Sequence, residues 1–347
     1  MLEHLEAMEM DHHTIFDNIP EHLKHYTWRP IRREDATALN RLLLEIEQVD
    51  QRQWYDTLED RQRDYDDPGS NIETDTILAL TADGQAAGFG WIFAPPEAEQ
   101  EYVAWLWGEV HPAQRGQGLG YFMLTWMEER ARQIMQTRPD NLPHHLRCGA
   151  RDNLVDRIAL IEARGFEPVR SFYRMRRDLS QSIPEWQVAD GIVIIPWQVE
   201  RDAEALQVLN EAFRDHWGVI PVSQEIYQLF LAGHPNFRAD LSCMAIDQST
   251  GGAGRLIGLS LNKVNAAENE ALNIKEGWIA ELAVLREWRR QGIASALLCA
   301  SMQAFVKDGL EYAGLGVDTE NLSGALRIYE RNGFVPVNRS INFSKTV

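Results

Sequence analysis

One feature constrains this chain of 347 residues before any other: its landmarks occur twice in the same order. Asp35-Ala-Thr-Ala-Leu39 returns as Asp202-Ala-Glu-Ala-Leu206, 167 residues on. Arg115-Gly-Gln-Gly-Leu-Gly120 returns as Arg289-Arg-Gln-Gly-Ile-Ala294, 174 residues on. Asn153 matches Asn321, and Gly165-Phe166 matches Gly333-Phe334, both at 168. Solenoid units run only ~20–50 residues. A period this long describes two copies of one domain, each within the ~100–200 residues that one core serves.

The breaker-rich stretch around Ser180-Gln-Ser-Ile-Pro-Glu185 separates the copies. The division is an N-terminal arm over 1–26, a first domain over 27–179, a linker over 180–190 and a second domain over 191–347. The arm holds five of the ten histidines, His4, His12, His13, His22 and His25. A metal site is conceivable there, but a solvated or docked arm is the simpler reading, and no metal is assigned.

Hydrophobic residues at 44% and charged residues at 25% suit folded cores and argue against disorder. The net charge of −18 argues against a general nucleic-acid binder and against an anionic membrane surface. An acidic exterior suits a cationic acceptor such as an amine. Cys148, Cys243 and Cys299 form neither a disulfide framework nor a paired zinc motif. They read as buried small hydrophobes in a reducing cytoplasm. No apolar run approaches the ~20 residues of a membrane span, and the acidic, histidine-rich start lacks signal-peptide order.

Each half reads alike. A helical stripe (Ala36, Leu39, Leu42, Leu43, Ile46; then Ala205, Leu206, Leu209, Phe213) precedes two strand candidates, 76–80 and 88–93, or 242–246 and 256–261. A long strand, 102–110 or 278–285, enters a glycine-containing turn, and a helix starts at once. The second such helix closes at Gly309. A strand, a helix and a final strand complete each copy. The fold class is α/β (α+β): two tandem domains, each a mixed central sheet with helices on both faces.

The turns carry the chemistry. Small residues between a strand and a helix let a ligand approach the backbone. Successive amides and the helix N-terminus then form a cradle for a phosphate or diphosphate. Arg115 or Arg289 can supplement it from the side. Neither copy is a P-loop, since no Gly-Lys-Ser/Thr follows. Neither is the dinucleotide fingerprint, since the third glycine, Gly120, comes one residue early. A lone glycine turn is often mere connection, but this one recurs in the same strand–helix context.

On these residues the sequence resembles the GNAT acetyltransferase superfamily. The resemblance rests on Val110-His-Pro-Ala-Gln-Arg115-Gly-Gln-Gly-Leu-Gly120 and on Val284-Leu-Arg-Glu-Trp-Arg289-Arg-Gln-Gly-Ile-Ala294. A second family motif stands at Leu315-Gly-Val317, Asn321, Ala325, Tyr329 and Gly333-Phe334. The landmarks cover most of each half, and the tandem arrangement is similar to that of two-domain members.

The resemblance implies acetyl-CoA, or another acyl-CoA, as co-substrate. Its diphosphate would sit on the turn formed by Arg289, Arg290, Gln291, Gly292, Ile293, Ala294 and Ser295. If the first copy also binds, Val110, Arg115, Gly116, Gln117, Gly118, Leu119 and Gly120 would serve there. Asn321 could bond to the cofactor or cap its helix. Family folds splay two strands, and pantetheine lies in the gap along the strand edge, here Leu282, Ala283 and Val284. One of those amides would polarise the thioester carbonyl.

An amine acceptor with a pKa near ~10 arrives protonated, so a base or a water chain must take a proton. The departing thiolate benefits from an acid. From helical spacing alone Tyr329 is a core residue of the stripe Leu322, Ala325, Leu326, Tyr329. The family match instead makes it the acid. Its counterpart in the first copy is Ile161, which has no proton to give. The second copy therefore reads as catalytic, and the first as a scaffold that can retain CoA.

Glu281 is the candidate base. Strand alternation and a possible bulge leave its facing open, and a structural glutamate or ordered water are alternatives. Glu109 in the first copy sits at a different offset and lends no support. Asn210-Glu-Ala-Phe-Arg-Asp-His-Trp217 stands where the family forms its acceptor wall, with a surface helix end as the alternative. The tryptophans Trp91, Trp105, Trp107 and Trp126 read as core before pocket.

The reading is an acyl-CoA-dependent N-acyltransferase that transfers acetyl from acetyl-CoA to the primary amine of a small molecule by direct attack, as a monomer or homodimer with no nucleic acid or membrane partner. The alternative is an acyl-CoA-binding sensor or interaction module with little or no turnover.

Overall fold

The computed structural model describes residues 18–51, 57–96, 98, 100–138, 141–219, 221–249, 251–320 and 324–347. Its contacts gather into two compact units. The first holds the described residues up to Cys148, with Asp156–Glu167 and Phe343–Val347. The second holds Gly149–Val155 and Pro168–Asn342. Residues 1–17 of the arm, with His4, His12 and His13, lie outside the described residues.

In the first unit β1 (Thr27–Arg29), β2 (Thr76–Leu80), β3 (Ala86–Phe93), β4 (Tyr102–Val110) and β5 (His144–Arg151) lie in that order. β1 to β4 are antiparallel, and β5 joins β4 in parallel. The helices are α1 (Ala36–Asp50), α2 (Leu58–Asp64), α3 (Leu119–Gln136) and α4 (Val155–Ala163). A parallel pair needs a crossover, which α3 supplies. Alternation along β3 puts the two faces to different uses. Phe89 and Trp91 pack with Leu39, Leu42, Leu43 and Ile46 of α1. Gly88 and Gly90 turn toward Met123 and Met127 of α3. Helices thus cover both faces.

The second unit repeats this plan. β6 (Glu167–Asp178), β7 (Ile192–Pro196), β8 (Cys243–Asp247), β9 (Arg255–Lys263), β10 (Glu276–Val284), β11 (Tyr312–Asp318) and β12 (Val335–Thr346) follow the spatial order β12-β6-β11-β10-β9-β8-β7. The helices are α5 (Asp202–Phe213), α6 (Gln224–Ile226), α7 (Ala266–Leu272), α8 (Ile293–Lys307) and α9 (Ala325–Arg331). Met244, Leu259 and Leu261 pack with α5, while Ala245 and Ile257 pack with Ile293 and Leu297 of α8. β6 ends the first half in sequence but pairs along its length with β11, from Phe172↔Asp318 to Asp178↔Tyr312. The linear halves and the compact units are therefore different partitions of the chain.

Two details position the site. β10 pairs with β11 only from Glu276↔Tyr312 to Ile279↔Leu315, so the end of β10 parts from its neighbour. β10 also carries a bulge. Ile279 faces Asn262 and Glu281 faces Leu261, leaving Ala280 as the extra residue. The corresponding pairing of β4 with β3 runs without interruption from Phe93↔Trp105 to Gly88↔Val110.

The three cysteines are buried and free. Trp91 and Trp126 are core residues. α8 ends as its glycine signal indicates: Gly309 adopts φ +82°, and the Leu310 amide donates to the Phe305 carbonyl.

Candidate active site

β10 ends at Val284, and one short turn separates it from Arg289. The chain then passes through two left-handed residues, Arg290 at φ +65° and Gly292 at φ +81°, before α8 begins at Ile293. A Cβ at Gly292 would lie 2.8 Å from the Gln187 carbonyl oxygen, so space and φ both demand glycine. The Ala296 amide is the one that donates back to the Gly292 carbonyl, at 2.9 Å. The amides of Gly292 to Ser295 precede it and have no acceptor within the helix. They form the donor end of a helix of 15 residues, a fit for an anion.

These residues line one cavity of about 800 Å³. Leu282, Ala283 and Val284 give it a strand edge, and Arg289, Arg290, Gly292, Ile293, Ala294 and Ser295 surround its turn end. Glu281 and Tyr329 face the same space from β10 and α9. Gln291 is not among the lining residues; its side chain donates to the Glu287 carbonyl. Asn321 lies outside the described residues. Phe213, His216 and Trp217 form part of the wall, where the segment 210–217 was expected. Sequence reasoning missed Phe172 and Asp318, paired across β6 and β11, and Arg327 and Arg331 on α9. The arginines were readable from their i,i+4 spacing beside Tyr329; the strand pair was not.

Burial sets the electrostatics. Loss of hydration pushes the Glu281 carboxyl up to about 7, with the Lys263 ammonium pulling the other way. Burial also raises the Tyr329 phenol, and the negative charge of Glu281 adds to it. Tyr329 is 9% exposed, so its hydroxyl serves the cavity from a largely enclosed ring. His216 is held below the usual imidazole range by burial, then by the Arg289 charge. Arg289 does not reach out as a free cation. Its Nε donates to the Val284 carbonyl at 3.2 Å and its Nη2 to the Ala212 carbonyl at 2.6 Å. It thereby fastens the end of α5 to the end of β10.

In the first unit the residues from Val110 through Arg115, Gly116, Gln117, Gly118, Leu119 and Gly120 make the same strand–turn–helix. Gly116 and Gly118 are left-handed, at φ +75° and +90°. The His22 Nε2 lies 2.8 Å from where a Gly118 Cβ would stand. Arg115 repeats the bond to the Val110 carbonyl at 3.2 Å, but its two terminal nitrogens grip the Asp50 carboxylate at 2.8 Å each. Its charge is thus neutralised. Ile161, at the place of Tyr329, is buried.

Comparison with known proteins agrees with this geometry in both units. A model described as "Acetyltransferase (GNAT) family" matches residues 40–166, and one described as "Acetyltransferase (GNAT) domain" matches residues 245–336. The chain is a tandem member of the GNAT acetyltransferases. As such it is an acyl-CoA-dependent N-acetyltransferase. A mycothiol acetyltransferase of Thermobispora bispora is 28% identical over 267 residues, 74% of this chain and 79% of the relative. A GCN5-related N-acetyltransferase from Sphaerobacter thermophilus shares the fold with a TM-score of 0.73 at 24% identity, covering 94% and 96% of the two chains. A tandem GNAT protein from the clavulanic acid biosynthesis pathway does so with 0.68 at 16% identity, covering 92% and 98%. Among the described residues no helix is long and apolar enough to cross a membrane. Nor does any group of three or more His, Cys, Asp or Glu side chains among them make a metal site.

Proposed function

We propose that the second unit transfers an acetyl group from acetyl-CoA to the primary amine of a small molecule, by direct attack and with no covalent enzyme intermediate. The observation that supports it is the convergence of turn, strand edge, Glu281 and Tyr329 on one cavity. The thioester supplies the activated acyl group. The amides from Gly292 to Ser295 and the Arg290 side hold the diphosphate, and the edge Leu282–Val284 aligns the pantetheine. An amide of that edge stabilises the oxyanion as the amine nitrogen bonds to the carbonyl carbon.

Glu281 takes the ammonium proton, directly or through water. Its raised carboxyl pKa of about 7 suits this work near neutrality. Tyr329 gives its proton to the sulfur as the carbon–sulfur bond breaks, and recovers one from solvent. A neutral phenol is the right form, because burial and the Glu281 charge both oppose its ionisation. The relatives' name puts mycothiol-type amines on the acceptor panel, beside polyamines, aminosugars and amino acids.

A thiol-release assay with acetyl-CoA and such an amine panel tests the reading. Release dependent on one amine, with kcat/KM rising through pH 7 and levelling above it, is the expected result. Glu281→Gln should remove that rise. Binding of acetyl-CoA without transfer to any amine would overturn the enzyme assignment.

A further inference from the structure

The two copies differ most where the bound co-substrate would run. In the second unit the floor of the cavity includes Ala283 on β10, Ala325 on α9 and Gly316 on β11. The internal repeat places Glu109, Arg157 and Cys148 at these positions in the first unit. Each replacement is larger, and two of them join. Arg157 on α4 donates from Nη1 to the Glu109 carboxylate on β4 at 2.9 Å. The Glu109 side chain is 6% exposed and the Arg157 side chain 24%. The pair bridges from α4 to the free edge of β4, past Trp105↔Arg147, where the parallel pairing with β5 stops.

A ligand entering this gap would have to part the two charges and leave at least one of them buried without its partner. The rest of the gap is committed as well. Trp107 stands where the second unit has Glu281; Phe89 packs edge-on against it at 4.9 Å, and the Arg61 guanidinium covers it at 4.9 Å.

We propose that the chain holds one acyl-CoA, in the second unit, and that the Glu109–Arg157 pair closes the matching slot of the first. This rests on the proposed function, which puts the co-substrate beside Ala283 and Ala325. The first unit keeps the strand–turn–helix because its core needs the crossover, while its gap has become interior. The residues from Val110 to Gly120 then serve structure and not the co-substrate.

Calorimetry of the full chain with CoA, joined to hydrogen exchange of the same mixture, tests this. The expected result is one CoA per chain, with protection over 280–295 and none over 106–120. Two CoA per chain, with protection over both 280–295 and 106–120, overturns the inference while leaving the proposed function standing; protection over 106–120 alone overturns both. No heat and no protection anywhere overturns the proposed function, and this inference with it. Moving the pair into the second unit, as Ala283→Glu with Ala325→Arg, should abolish binding in a variant whose circular dichroism stays native. Unchanged one-to-one binding by that folded variant would also overturn it. If the variant does not fold, the wild-type stoichiometry and exchange pattern decide the matter.

Discussion

Tyr329 and Ile161 occupy the same place in two copies of one helix. Each carbonyl accepts the amide of the phenylalanine that follows the closing glycine: Phe334 to Tyr329 at 3.0 Å, and Phe166 to Ile161 at 3.3 Å. The backbone repeats and the side chain does not. The same holds at the turns, where Arg115 meets a carboxylate and Arg289 meets a carbonyl. It holds again in the gap, where an ion pair stands for two alanines. Fold is retained by the groups that pack and bond locally, while chemistry resides in a handful of side chains facing one space.

The largest effect should come from the first pair. Tyr329→Phe is expected to lower kcat by on the order of 10²- to 10⁴-fold, with CoA affinity nearly unchanged. Ile161→Ala should do the reverse. It should cost about 2–5 kcal/mol of stability in a denaturant titration, with kcat per folded molecule preserved. Equal losses of kcat in both variants would break the comparison.

Next comes the gap of the first unit. Arg157→Ala removes the guanidinium 2.9 Å from the buried Glu109 carboxylate and should destabilise the chain by about 3–5 kcal/mol. Replacing both, as Glu109→Leu with Arg157→Met, should recover most of that loss. A cycle of the two single variants and the double one measures the coupling. Additive losses would mean that the pair does not hold the gap.

Much of this contrast was legible in the chain. The repeat, the two glycine turns, Tyr329 and its isoleucine counterpart all stand in local spacing. What was not legible depends on contacts distant in sequence. A bulge on this strand was anticipated, but its place at Ala280 is a register event between β9 and β10 that hydrophobic alternation does not announce. It is the bulge that settles how Glu281 is presented. The partner of Arg115 is Asp50, at the far end of α1, and that of Glu109 is Arg157, on the other side of the gap. The pairing of β6 with β11 is likewise hidden, because a strand's pattern shows which face is buried and not which neighbour it joins.

The smallest expected effect is on stability against pH. The folded Glu281 carboxyl sits at about 7, above the ~4.3 of an unfolded glutamate. Between those values the folded state binds more protons, so stability falls as pH rises through that window. Glu281→Gln should therefore melt higher than wild type at pH 8, with the gap closing toward pH 4. A gap independent of pH would show that Glu281 titrates normally.

In the proposed reaction the second unit's cavity holds the co-substrate with its sulfur beside Tyr329. A crystal structure of the full chain with CoA tests it most directly. The diphosphate is expected on the amides from Gly292 to Ser295, pantetheine along Leu282–Val284, and the thiol within hydrogen-bond reach of the Tyr329 hydroxyl. CoA bound elsewhere, with that hollow filled by the chain's own side chains, would contradict it.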